Sequence, residues 1–146
     1  MKSLLIKAVK KYPLTAILIV IIGYLSFFTP PETPLNHVRF IDKWTHLILY
    51  GTLTLVLWTE DRRTLPHRTD IRRTLCLYLG AVAMSGCIEL LQAYCTTNRS
   101  GDWLDLAANA AGGLTGILLA RIADRQYEKR KSRRTPNGSH SSRQDL

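Results

Sequence analysis

The sequence predicts an all-α fold: an integral membrane bundle of four transmembrane helices, with both termini in the cytoplasm and a disordered basic C-terminal tail. Three observations predict it. Four long apolar runs fill most of residues 12–122, the basic residues are concentrated in alternate gaps between them, and the ionisable groups inside the runs gather near one end. Average composition hides this pattern. A content of 46% hydrophobic and 21% charged residues is ordinary for a soluble chain, but here the two classes are segregated.

The first run, Leu14 to Phe28, becomes a span over about 12–29 when its flanks are counted, and the second, Trp44 to Trp58, a span over about 40–59. The third, Leu75 to Cys95, needs no extension, and the fourth, Leu106 to Ile122, reaches back to about 103. Each then has the roughly 17 to 25 residues needed to cross hydrocarbon. A helix satisfies its own backbone groups there, which is why such runs read as helices. A soluble bundle would need a polar stripe along every helix. The first two runs offer little beyond scattered threonines and one serine. Residues 1–125 therefore form one transmembrane domain. Residues 126–146, "QYEKRKSRRTPNGSHSSRQDL", are too polar to bury a core and are expected to be disordered.

The net charge of +9 first suggests nucleic acid, but nucleic-acid binding needs a basic face on a folded soluble module. Here the charge flanks apolar runs, so no nucleic-acid partner is expected and the first partner is the lipid bilayer. Of the 20 Lys and Arg residues, seventeen fall at the N-terminus, in the connection holding Arg62 and Arg73, and from Arg121 onward; Arg39, Lys43 and Arg99 alone fall in the other gaps. The positive-inside rule then places both termini in the cytoplasm of a bacterial inner membrane, with the connections at 29–43 and 96–104 outside. The first run resembles a signal peptide in its lysine-rich start. The following "SFFTPPE" lacks the small residues that cleavage needs, so an uncleaved span is expected. Tyr78, Tyr94, Trp44, Trp58 and Trp103 fit an interfacial aromatic belt. Cys76, Cys87 and Cys95 lie on one helix at spacings matching no metal motif, and read as small packing residues.

The stretch "IELLQAYCTTNRSGDWLDLAANAAGG" at 88–113 departs from this greasy pattern. At 100° per residue, Asp42 and His46 share one side of the second helix, Ser85, Glu89, Gln92 and Thr96 one stripe of the third, and Asp105, Asn109, Gly112 and Gly116 one side of the fourth, with Asp102 close to the same line. Depth agrees with direction. At 1.5 Å per residue, His46 is about 6 Å inward from Asp42, Glu89 about 9 Å from Cys95 and Asn109 about 6 Å from Asp105. A carboxylate at such a depth is expensive against lipid, so these groups should face a shared pocket opening outward. Ala108, Gly112, Gly116 and Ala120 recur every four residues on the same side, a ridge that lets helices approach closely. Plainer roles exist for each polar group. Asn109 and Gln92 can be interhelical glue, Asp42 a helix cap, and Arg99 a surface counter-ion.

The segments "DKWTHLILYG" and "GCIELLQAYCTTNRSGDWLDLAANAAGGLTG" resemble the VanZ-like family of small bacterial membrane proteins. The family's motif falls here on Asp42, Lys43, His46, Glu89, Gln92, Arg99, Asp102, Asp105, Asn109, Gly112 and Gly113. The resemblance spans roughly residues 20–122. It implies a place in the cell envelope, where the family's namesake is associated with resistance to teicoplanin, a glycopeptide that binds lipid-linked wall precursors. Two readings follow for the pocket. As a binding module, Arg99, Lys43 and His46 would meet phosphate or carboxylate, while Glu89, Asp102 and Asp105 accept hydrogen bonds from sugar or amine, with Asp42, Gln92 and Asn109 completing the site. As an enzyme, Glu89 and His46 would be the acid–base pair. A structural subunit of a larger envelope complex would use the same helices. No cofactor is expected and no metal is assigned, although Asp42, His46, Glu89 and Asp105 are the groups that could hold a divalent ion.

Overall fold

A computed structural model describes residues 2–27, 40–64, 70–95 and 102–134. Among these residues all the secondary structure is helical: α1 (Lys2–Lys11), α2 (Pro13–Phe27), α3 (Ile41–Thr64), α4 (Ile71–Cys95) and α5 (Trp103–Arg134). The first apolar run is thus preceded by a helix of its own. Proline has no N–H to continue a helix but is well suited to its first turn, so Pro13 ends α1 and starts α2. The free N–H groups of that first turn find a distant partner. Glu60 on α3 accepts from Leu14 N at 2.9 Å, Thr15 N at 3.1 Å and Thr15 Oγ1 at 2.7 Å.

α3 and α5 form the largest contact and the axis of the bundle, with α4 against α5 and α2 against α3. Glycine makes the close approach possible. A Cβ on Gly112 would overlap the Leu47 carbonyl, and one on Gly116 would overlap the Gly51 carbonyl and Thr54 Oγ1. The Thr54 hydroxyl crosses the same seam to the Gly113 carbonyl at 2.9 Å. Ala120 is buried and Ala108 half-buried on this helix. The apolar core, Ile22, Tyr50, Leu53 and Ala81, lies between α2, α3 and α4.

α4 and α5 are long and apolar enough to cross a membrane. Only 22% of the apolar window of α4 and 33% of that of α5 is buried within the chain, so most of it faces outward. Leu79, Leu90, Leu118 and Leu119 are among the exposed side chains. An outer surface of this kind belongs in lipid rather than water. α2 is more apolar still but, at 15 residues, shorter.

Three details differ from the sequence reading. α5 continues through residues 126–134, which composition assigns to the tail; Arg, Gln, Glu and Lys are good helix formers, and Arg62 holds this stretch through Asp124 (3.0 Å) and Glu128 (3.2 Å). Residues beyond 134, with the rest of the expected tail, lie outside the described residues. Trp58 is buried rather than interfacial, and the Tyr78 hydroxyl turns inward to the Ala110 carbonyl at 3.2 Å. Cys76 and Cys87 face outward instead of packing in the core.

Candidate functional site

The start of α3, the end of α4 and the start of α5 come together at one end of the bundle, and a polar cluster fills their junction. Helix periodicity delivers Asp42, His46 and Tyr50 at four-residue spacing on α3, Ser85 and Glu89 on α4, and Asp105 and Asn109 on α5. Asp102 caps α5. Its Oδ1 accepts from Leu104 N at 2.9 Å, and its carbonyl accepts from Asp105 N and Leu106 N. Asp42 has no such role, because it lies within the first turn of α3, whose opening carbonyl, that of Phe40, accepts from Trp44 N at 3.1 Å.

Lys43 is the cationic centre. Its ammonium donates to Asp102 Oδ2 at 2.5 Å and to Asp105 Oδ1, and lies 3.7 Å from Asp42 Oδ2. These contacts hold the exposed Asp102 carboxyl below its ordinary range: the Lys43 hydrogen bond is the main cause, followed by the one from Leu104 N. Glu89 is buried and accepts from the backbone N–H of Asp102 at 3.1 Å, tying the end of α4 to the cap of α5.

A second, neutral chain of hydrogen bonds runs beneath the charges. His46 Nδ1 and Asn109 Oδ1 are 3.1 Å apart, Asn109 Nδ2 donates to Ser85 Oγ at 2.7 Å, and Ser85 is hydrogen-bonded to Tyr50. The chain passes from α3 through α5 and α4 back to α3. Asn109 is 1% and Ser85 0% exposed, so these polar atoms have no water to fall back on and must satisfy one another. His46 Nε2 points the other way, toward Asp42 Oδ1 at 3.8 Å and Asp105 Oδ2 at 3.7 Å.

Seven of the motif residues therefore share one cluster: Asp42, Lys43, His46, Glu89, Asp102, Asp105 and Asn109. Gln92 is placed elsewhere. Its Nε2 donates to the Ser26 carbonyl at 2.6 Å, holding the end of α2 to α4. Three residues beyond Glu89, it is rotated by about 60° toward α2. Arg99 lies outside the described residues. Tyr50 belongs to the cluster but was not singled out by the sequence reading; its spacing of four from His46 was the available signal.

A second polar cluster, absent from the sequence reading, occupies the opposite end. Besides Glu60 on the start of α2, Asp61 accepts from Tyr12 Oη at 2.7 Å and takes Arg73 through Nε (2.5 Å) and the terminal NH2 (2.6 Å). Burial pushes the Glu60 and Asp61 carboxyls up, but their hydrogen bonds more than reverse this and both lie below the ordinary carboxylate range. For Glu60 the donors are Thr15 and the N–H groups of Leu14 and Thr15; for Asp61 they are Arg73 and Tyr12.

No curated protein and no solved structure is significantly similar to the chain. A protein-family model described as VanZ/LLP1 does match, over residues 5–124, which takes in all five helices in whole or in part and every residue of both polar clusters except Glu128. The chain belongs to the VanZ/LLP1 family.

Proposed function

We propose that this membrane protein is a four-span, multi-pass protein of the bacterial cytoplasmic membrane. Its polar cluster opens to the outside and binds the head group of an envelope lipid or lipid-linked wall precursor. One observation carries the reading: ionisable and amide side chains from α3, α4 and α5 converge at the end away from the Arg-rich connection. Ionisable groups at membrane depth are costly and ordinarily serve a ligand, an ion or a proton. The orientation rests on the distribution of Lys and Arg, which favours a cytoplasmic location for the end with Arg62, Arg73 and the last turns of α5.

The charge balance narrows the ligand. Among the described residues, Asp42, Glu89, Asp102 and Asp105 outnumber Lys43 and His46, and the Lys43 ammonium is already held by two carboxylates. The cluster is therefore suited to sugar hydroxyls and a primary amine more than to bare phosphate. A ligand of this class would connect the protein to teicoplanin susceptibility. Native mass spectrometry of protein released gently from membranes tests the proposal, with wild type beside Glu89→Gln. The expected result is a co-purifying envelope lipid that is depleted in the variant. Retention of the same lipids in both proteins, at equal occupancy, would sink it.

A further inference from the structure

Two carboxylates at the acidic end divide their oxygens in the same way. Asp105 gives Oδ1 to Lys43 and turns Oδ2 toward His46 Nε2 at 3.7 Å. Asp42 places Oδ2 near Lys43 at 3.7 Å and turns Oδ1 toward the same Nε2 at 3.8 Å. Both approaches to Nε2 exceed hydrogen-bond range. The other ring nitrogen fixes the tautomer. With Asn109 Nδ2 donating to Ser85, Asn109 presents its carbonyl oxygen to His46 Nδ1, which must carry the proton to make the 3.1 Å contact. In the neutral ring Nε2 then carries a lone pair aimed between two carboxylate oxygens. Lone pair and anions repel one another unless a proton or a metal cation lies between them, and at 3.7 and 3.8 Å neither oxygen is close enough to accept a hydrogen bond from that nitrogen. An imidazole held by an Nδ1–H bond to a carbonyl, with Nε2 turned to acidic oxygens, is the usual posture of a metal-ligating histidine.

We propose that Asp42, His46 and Asp105 ligate a divalent transition-metal ion, with Asn109 and Ser85 holding the imidazole in place. One donor atom from each of the three ligands lies within 4.8 Å of the other two. The two nitrogen-to-oxygen separations are close to the roughly 3.4 Å expected between neighbouring ligands of a tetrahedral zinc ion. One nitrogen and two oxygens favour Zn²⁺ or Mn²⁺ over Mg²⁺ and Ca²⁺, which prefer oxygen alone. The Asp42 side chain is 51% exposed, so the ion has a path in and a side left open for a further ligand. Two added positive charges would also let the acidic end accept a phosphate oxygen at that open side. That last step rests on the lipid-binding reading; the ion site itself does not.

The test uses the full-length chain in detergent, stripped with chelator and without added lipid, so that its outcome is separate from that of the lipid experiment. Zn²⁺ binding is followed by calorimetry, Mn²⁺ by loss of its free-ion paramagnetic signal, and the imidazole by ¹⁵N resonances assigned against His46→Gln. We expect one ion per chain and a shift of the His46 Nε2 resonance while Nδ1 keeps its proton. Asp42→Asn, on the exposed rim where folding is not at stake, should weaken binding at least about tenfold, the loss that removal of even an outer hydrogen-bond partner brings. Glu128→Gln at the opposite end should bind like wild type. Absence of binding, equal binding by Asp42→Asn, or binding that leaves Nε2 unmoved would each overturn the proposal.

Discussion

Among the described residues, the two ends of the bundle carry similar numbers of carboxylates but use them differently. At the basic end the carboxylates of α3 and α5 have their own donors: Glu60 takes three, Asp61 takes Tyr12 and two nitrogens of Arg73, and Asp124 and Glu128 take Arg62. At the acidic end, among the described residues, several carboxylates crowd one lysine, and His46 Nε2 faces two of them beyond hydrogen-bond range. A fully satisfied network stabilises the fold it belongs to. One whose carboxylates outnumber its cations among the described residues has capacity left for something else. Substitutions at the basic end should therefore act on stability first, and those at the acidic end on ligand occupancy first.

The largest effect is expected at Asp61. Replacement by alanine leaves Arg73 and Tyr12 without their acceptor at a site where the Asp61 side chain is only 8% exposed. Breaking a buried pair in this way costs about 3–5 kcal/mol, and the partial exposure of Arg73 argues for the low end, about 3 kcal/mol. Thermal unfolding in detergent should show a marked fall in Tm. An unchanged Tm would mean that the basic end is as loosely held as the acidic one, and the contrast would fail.

The same end should govern acid sensitivity. Glu60 and Asp61 are held below their ordinary values of 4.5 and 3.8, so folding favours their ionised forms. Groups lowered in this way contribute stability that is fully present above those values and is lost as pH falls through the lower, folded-state ones. Tm should be level from pH 8 to about 5 and decline below about 4. Glu60→Gln with Asp61→Asn should lower Tm at neutral pH and flatten most of the decline. Asp102 at the acidic end is lowered too, mainly by Lys43, but its exposure limits its share.

Asn109→Ala should give a smaller loss of stability with a larger loss of function. Hydrogen bonds between helices in lipid are commonly worth about 1 kcal/mol or less, so losing those to His46 and Ser85 should be tolerated by the fold. Without Asn109 the imidazole is free to rotate and the Nδ1 proton loses its acceptor. Occupancy by the co-purifying ligand should fall more than Tm does. The reverse order would assign the acidic end to structure as well.

Helical period made the acidic cluster legible. Asp42 and His46, Ser85 and Glu89, and Asp105 and Asn109 are each four apart, and four-residue spacing keeps side chains on one face. Gln92, at a spacing of three from Glu89, turns toward α2 instead, a rotation that is decisive only once the neighbour on that side is known. The basic end was not legible for the same physical reason. Glu60 and Asp61 follow the apolar run immediately and read as ordinary flanking charge; their partners Thr15, Tyr12 and Arg73 lie far away in sequence or on another helix. What places them is the break at Pro13, which presents the first turn of α2 to Glu60. The continuation of α5 past residue 125 was hidden by composition, because a run of charged residues suits a solvated helix as well as a tail.

The smallest effect should come from Arg62, and it tests whether the basic end forms one unit. Its guanidinium spans from α3 to Asp124 and Glu128 on the part of α5 that extends past the apolar run. The Glu128 side chain is 53% exposed, and such pairs are worth about 1 kcal/mol or less. Arg62→Ala should therefore leave Tm nearly unchanged while loosening the last turns of α5. Amide hydrogen exchange should rise along residues 124–134 and stay as in wild type at residues 103–116, where Gly112 and Gly116 seat the helix against α3. If protection fell along the whole of α5, the two ends would be mechanically coupled through that helix. The acidic end would then respond to events at the basic one.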